Sequence, residues 1–448
     1  MKTMRFPHPL VLLVGFILLA TLLSYVLPAG EFARHLDALT KREVVVPGSY
    51  QRVPAAPVSA LQALVAIPQG MAGAADVIFF VFLTGGAFTV VDQTGALRRG
   101  VDWLVARFRG REAFVIPLIS LLFATMGALE NMQEEIIPLV PVLLVLMRRL
   151  GYPALTAAAV SLGAAAVGAA FSPINPFQVG IAQKLAQLPL LSGSGFRLVV
   201  LGLALLIWIG GTMRFASRYR VAPADAEAAD ETPTSVGRHG LVLLLLLATF
   251  GGFTFGVLKL GWAFEQMGAL FFVFGVAAGL LGGLGLNGTA EAFIAGFRDL
   301  AFSALLIGFA RAIFIVLEQG QIVDTIVNGL SAPLAGLPVA LSALGMMGLH
   351  TALHLPVPSV SGQAVLTMPI LTPLSDLIGL PRQVMVLAYQ YGAGLCELIT
   401  PTNGALMAIV AACGVRFDAW WKFVLPLYLG LLALGAVAVI VGIMLHLG

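Results

Sequence analysis

Two short stretches of this sequence have the residue types to do chemistry inside a membrane, and they are near copies of each other. Ser172-Pro173-Ile174-Asn175 and Thr400-Pro401-Thr402-Asn403 each interrupt a run apolar enough to cross a bilayer. Proline lacks a backbone donor and clashes with the preceding turn, so each motif is predicted to break its helix at mid-membrane depth. The carbonyls freed there, with the amides of Asn175 and Asn403 beside them, would suit a sodium ion. The positive ends of the half-helices would suit an anionic group. Ser172, Thr400 and Thr402 belong to the same candidate substrate site. The alternative is a pair of asparagine-capped kinks that bind nothing.

Carboxylates form a second set. The polar tip Glu130-Asn131-Met132-Gln133-Glu134-Glu135 separates two apolar arms, and Glu397 lies just before the second break. An ionised carboxylate at the bilayer centre is costly and usually functional. Glu134, Glu135, Glu397 and Asn131 are therefore the candidate ion-coupling groups, with Glu397 a possible proton carrier; a watery vestibule around the tip is the competing account. Arg311 sits inside an apolar span. It either holds a substrate carboxylate in a bidentate fork or pairs permanently with a glutamate. Ser359 and Ser361, in a second polar tip, offer hydroxyls to a substrate. His350 and His354 have the spacing of metal ligands, but no glutamate completes a metallohydrolase motif between them, so they read as a structural or vestibule pair. Asp92 and Glu318 close apolar segments beside glutamines and read as interfacial.

The elements that must position these groups repeat as well. A gap-free register of 228 residues superimposes Ser172 on Thr400, Gly151-Tyr152-Pro153 on Gly379-Leu380-Pro381, and Pro141 on Pro369. Paired broken helices in two halves of a chain point to a transporter's binding site. Composition agrees: of 448 residues 59% are hydrophobic and only 10% charged, with a mean hydropathy of +0.98. A soluble domain carries about 25% charged residues. The formal net charge of +3 gives no reason to expect nucleic acid as a partner. Cys396 and Cys413 lie in apolar segments and read as packing residues. No Walker-type glycine loop, nucleophile–base pair or metal triad is visible, which argues against direct ATP drive and against an enzyme.

The expected fold is an all-α polytopic membrane protein of two inverted repeats. Each repeat has a re-entrant hairpin and a broken transmembrane helix, giving about nine crossings plus two hairpins. Residues 1–74 supply a first helix from a cytoplasmic N-terminus and an external loop, although Arg34, Lys41, Arg42 and Arg52 sit awkwardly outside. Residues 75–216 form the first repeat, 217–238 a hydrophilic cytoplasmic linker, 239–299 connecting helices and 300–448 the second repeat. Five arginines between Arg98 and Arg111 mark a cytoplasmic loop.

The sequence also resembles YfcC-like carriers of the C4-dicarboxylate anaerobic carrier family, along nearly its whole length. The resemblance is carried by Leu27-Pro-Ala-Gly-Glu-Phe32, Glu134-Glu135 with its following prolines, the stretch from Ser172 to Gln183, Gly308-Phe-Ala-Arg-Ala, and Ile399-Thr-Pro-Thr-Asn-Gly404. The family is similar to the ion transporter superfamily, whose members move carboxylates by an elevator motion. The resemblance implies a homodimer in a bacterial-type inner membrane, with no cofactor beyond a coupling sodium ion or proton. One departure is visible: the family's Gly-Asp-Gly and asparagine before the second break read here Gly392-Ala393-Gly394-Leu395-Cys396-Glu397. The expected function is secondary active transport of a small carboxylate-bearing metabolite, a dicarboxylate or an amino acid; a basic amino-acid exchanger is the alternative that the glutamate surplus favours.

Overall fold

In the computed structural model of the chain, residues 8–37, 43–97, 99–100, 103, 111–130, 133–222 and 236–447 are described. Asn131 and most of the hydrophilic linker, residues 223–235, lie outside them. Helices dominate, and among the described residues seven are long and apolar enough to cross a membrane. The chain is thus a multi-pass membrane protein by its helices. One of the seven is the segment Glu112–Leu129, read from sequence as a hairpin arm.

The helix Gly285–Gln319 runs unbroken through residue 300, where the sequence suggested a boundary. Glu291, Arg298 and Asp299 sit on this continuous helix of 35 residues, about 50 Å long. Around it pack the helices Pro9–Val26, Ala60–Gly73, Ala75–Gln93 and Gly404–Ala412. Small residues allow the close approach, as is usual where lipid supplies no hydrophobic drive. A Cβ on Gly70 would stand 2.4 Å from the Gly308 carbonyl, and one on Gly85 2.0 Å from Leu300. Beside this group Phe80, Phe88, Phe271, Phe274 and Phe293 form an aromatic core.

The two broken helices pack against each other, with the Phe171 and Tyr391 ring centroids 4.7 Å apart. In the helix Arg382–Cys396 every residue from Gln383 onward is buried. A helix covered on all sides cannot show an amphipathic stripe, which is why only its breaks are legible. The arm Val115–Glu130 packs on Ala164–Ala170, and the arm Val339–Leu353 packs on Arg382–Cys396. A π-turn at Ala159–Gly163 widens the first broken helix, and the Trp208 indole donates to the Ala159 carbonyl at 3.0 Å.

Strand occurs, among the described residues, only in the loop after the first helix, where an all-helical chain was expected. Gly30–Glu31 pairs with Gln51–Arg52, and Arg34–Leu36 with Glu43–Val45. The loop is fastened to the helix Val323–Ser331. Arg34 donates two bonds to Asp324, at 2.7 and 2.8 Å, and the Phe32 amide donates a third at 2.9 Å. A buried partner of this kind explains a cation in that loop without reference to topology.

Candidate functional site

At the first break Pro173 and Pro176 each remove a backbone donor. The Ser172 hydroxyl donates to the Ala128 carbonyl (2.7 Å) and accepts from the amides of Ile174 (3.0 Å) and Asn175 (2.9 Å). Asn175 Oδ1 accepts from the amides of Phe177 and Gln178, both at 2.9 Å, and Nδ2 donates to the Gly127 carbonyl at 2.8 Å. The arm comes this close because Gly127 and Gly168 face backbone: a Cβ on either would stand 2.0 Å from a carbonyl oxygen. Ser172 and Asn175 are fully buried. The amide of Asn175 is fully engaged as a cap.

At the second break Asn403 caps the helix Gly404–Ala412 by accepting from the Leu406 amide at 2.9 Å. Its Nδ2 donates to Gln133 Oε1 at 3.5 Å, and Gln133 Nε2 donates to a carboxylate oxygen of Glu397. Thr402 donates to the Leu355 carbonyl at 2.8 Å, which ties the break to the second polar tip. Gln133, from the first tip, therefore bridges two groups of the second break.

Both tips and both breaks meet at a cavity of about 760 Å³. Its polar wall comprises Asp76, Gln133, Glu134, Glu135, Gln178, Ser359, Ser361, Glu397, Thr402 and Asn403. Phe177, Phe264, Phe314, Val357 and Leu366 supply apolar surface, and Arg311 enters from the C-terminal third of the helix Gly285–Gln319. The Arg311 guanidinium lies 5.7 Å from the Phe314 ring centroid, and no ion pair holds it among the described residues. Ser359 accepts from the Gly362 amide at 3.2 Å.

The C4-dicarboxylate anaerobic carrier model matches residues 6–444. The chain belongs to that family of transporters. It is 36% identical over 396 residues to a protein of Escherichia coli (strain K12) named "Putative basic amino acid antiporter YfcC", covering 82% of this chain and 77% of that one. An uncharacterized protein of Haemophilus influenzae is 29% identical over 501 residues, covering 99% and 98%. The solved YdaH transporter of Alcanivorax borkumensis aligns over 98% of this chain and 99% of its own at 18% identity, with a TM-score of 0.46. The family is one of carriers, so the chain is a transporter rather than an enzyme.

For a carrier of this family, the geometry brings together Glu134, Glu135, Glu397, Arg311, Ser359, Ser361, Thr402 and Asn403. It leaves Ser172, Asn175 and Thr400 behind the wall. Asp92 and Glu318 are exposed at helix ends. His350 and His354 are bridged by one amide, Gln363 Oε1 to His350 Nδ1 at 3.0 Å and Gln363 Nε2 to His354 Nδ1 at 2.9 Å, which staples the two arms around the second tip. Sequence reasoning passed over Gln133, Asp76 and Arg197. Gln133 stood in plain view in the first polar tip, overshadowed by its acidic neighbours. Arg197 and Asp76 stand at the edges of apolar runs, where a charge reads as interfacial.

Proposed function

We propose that the chain is a secondary active transporter for an amino acid with a cationic side chain, coupled to protons. One observation carries this reading: four carboxyl groups, Asp76, Glu134, Glu135 and Glu397, share the cavity with a single guanidinium, Arg311. A dicarboxylate would meet that negative surplus with two more negative charges. An α-amino acid with an ammonium or guanidinium end matches both regions. Its carboxylate fits the Arg311 fork, and its cationic end faces Glu134 and Glu397. The antiporter name of the Escherichia coli relative agrees with this assignment.

Protons suit the coupling better than sodium. Asn175 and Asn403, the candidate sodium ligands, spend their amide oxygens on helix caps. Glu134 and Glu397 line the same cavity, and like charges in one low-dielectric site resist joint ionisation. A proton on one of them can therefore take the place of the substrate's cationic end. For the architecture we keep the inverted repeats, two re-entrant hairpins, nine crossings, a homodimer and a cytoplasmic N-terminus in an inner membrane. Each arm packed on its own broken helix supports an elevator motion of that unit against the long helix. The experiment is a thermal-shift series on the purified chain with L-arginine, L-lysine, L-ornithine and succinate, with and without sodium. Stabilisation by the basic amino acids, independent of sodium, is expected. Stabilisation by succinate alone would overturn the assignment.

A further inference from the structure

Arg197 is fully buried in the helix Ser194–Arg218, and no acidic side chain bonds it among the described residues. A buried charge without a counterion is costly and is kept for a reason. Its donors go to neutral oxygens: Nε to Gln390 Oε1 at 3.1 Å, Nη1 to the Ser192 carbonyl at 2.8 Å, Nη2 to Gln383 Oε1 at 3.0 Å. Arginine has no acceptor, so Gln390 must present its oxygen to the guanidinium and turn its NH₂ away. That NH₂ donates to the Ser172 carbonyl at 2.7 Å. In an unbroken helix this carbonyl would receive the amide of residue 176. Residue 176 is proline and has no amide hydrogen. A side chain from the other broken helix thus supplies the donor that the backbone lost. Directly after the break, Phe177 and Gln178 enter the cavity wall.

We propose that Arg197 and Gln390 are positioning residues of the transport site: the guanidinium fixes the amide, the amide holds the Ser172 carbonyl, and the held break aims Phe177 and Gln178 into the cavity. A simple buried clamp would need only an acceptor at position 390, whereas positioning needs the donor as well. Gln390→Glu separates the two, because a carboxylate satisfies the guanidinium better than the amide does and leaves the Ser172 carbonyl without its donor. The test uses the purified full-length chain with three readouts: melting temperature, amide hydrogen exchange over residues 172–180, and proteoliposome counterflow of L-arginine. Q390E is expected to melt at or above wild type while exchange over 172–180 quickens about tenfold. KM for L-arginine should rise about fivefold with kcat little changed. Gln390→Met, which removes the donor without adding charge, gives the same exchange comparison should the carboxylate prevent folding. Unchanged exchange at the break, or a rise spread evenly over the chain, overturns the proposal. Only the counterflow readout rests on the proposed substrate: if wild type does not exchange L-arginine that reading falls, and the exchange readout still decides this one.

Discussion

At the first helix break, Ser172 and Asn175 bond backbone of the adjacent arm and of their own loop, and Gln390 covers the Ser172 carbonyl. At the second, Asn403 and Thr402 stand in the cavity wall, and Asn403 reaches Gln133, which in turn bonds Glu397. The motif is the same in both, Ser/Thr-Pro-x-Asn at a spacing of 228 residues, yet its surroundings differ. The first is an anchored joint; the second lies beside the titratable groups of the cavity, Glu134, Glu135 and Glu397. The distinction comes from what each break faces. The first is pressed against a glycine-lined arm that allows backbone contact, whereas the second lies beside a polar tip and the Arg311 helix. The sequence carries the motif twice, and packing places motif residues of the second alone, Thr402 and Asn403, in the cavity wall, where the first contributes Phe177 and Gln178 that follow its motif.

The largest expected effect tests the open side. Arg311→Ala should reduce saturable L-arginine uptake by about 100-fold or more, the scale of a lost bidentate charge pair. The melting temperature should barely move, since no ion pair is broken among the described residues. Arg311→Lys should weaken binding about tenfold, because it keeps the charge and loses the fork. Unchanged affinity in the lysine variant would remove Arg311 from the substrate site.

The asparagine pair tests the comparison itself. Asn175→Ala is expected to cost about 2–4 kcal/mol of stability, combining a lost cap with unsatisfied buried partners. Asn403→Ala should cost about 1 kcal/mol and lose transport in protein that still folds. Denaturation and uptake measured on the same samples decide the point: equal stability losses would erase the contrast between the breaks.

A third variant, Glu397→Gln, keeps an oxygen for Gln133 to bond but cannot carry a proton. Concentrative uptake driven by a pH gradient should vanish while counterflow persists within about threefold. Intact gradient-driven uptake would move the coupling site elsewhere.

The smallest effect is expected where the two halves touch at the surface. Arg382 donates to Asp376 at 2.6 and 2.8 Å and to the Ala186 carbonyl, past the first break, at 2.9 Å. The hydrogen bond from Arg382 holds the Asp376 carboxyl below its usual range. A depressed pKa contributes stability above the unfolded value and loses it as pH falls. Arg382→Ala should therefore cost less than about 1 kcal/mol at pH 7 for this exposed pair, and the difference should shrink below about pH 4. A difference that grows on acidification would contradict the pairing.

Much of this was legible in the sequence because proline, glycine and intramembrane charge are rare enough to stand out. Both breaks, the first polar tip, Glu397 and Arg311 were identified by residue type and spacing alone. What escaped detection depends on packing. Asn175 and Asn403 look equivalent on paper; the glycines at 127 and 168, which let an arm approach the first break, and Gln133 beside the second distinguish them. Gln133 and Gln390 are neutral amides with no pattern of their own, and their importance comes from partners more than 200 residues distant. The full length of the helix Gly285–Gln319 was not legible either, because its charged residues interrupt the apolar run without interrupting the backbone.

The fastening of the first loop also bears on how the molecule is made. Arg34 is bonded to a residue 290 positions further along the chain. At ribosomal speeds of about 5–20 residues per second, Asp324 emerges some 15–60 s after Arg34. Throughout that interval the first helix is already synthesised, and its loop lacks the partner that holds it in the finished carrier. Early chains thus carry an unlatched N-terminal strap, and the last third of the protein closes it. A nascent carrier stalled before residue 324 should be open to protease at residues 30–52, and one released after it should be resistant there.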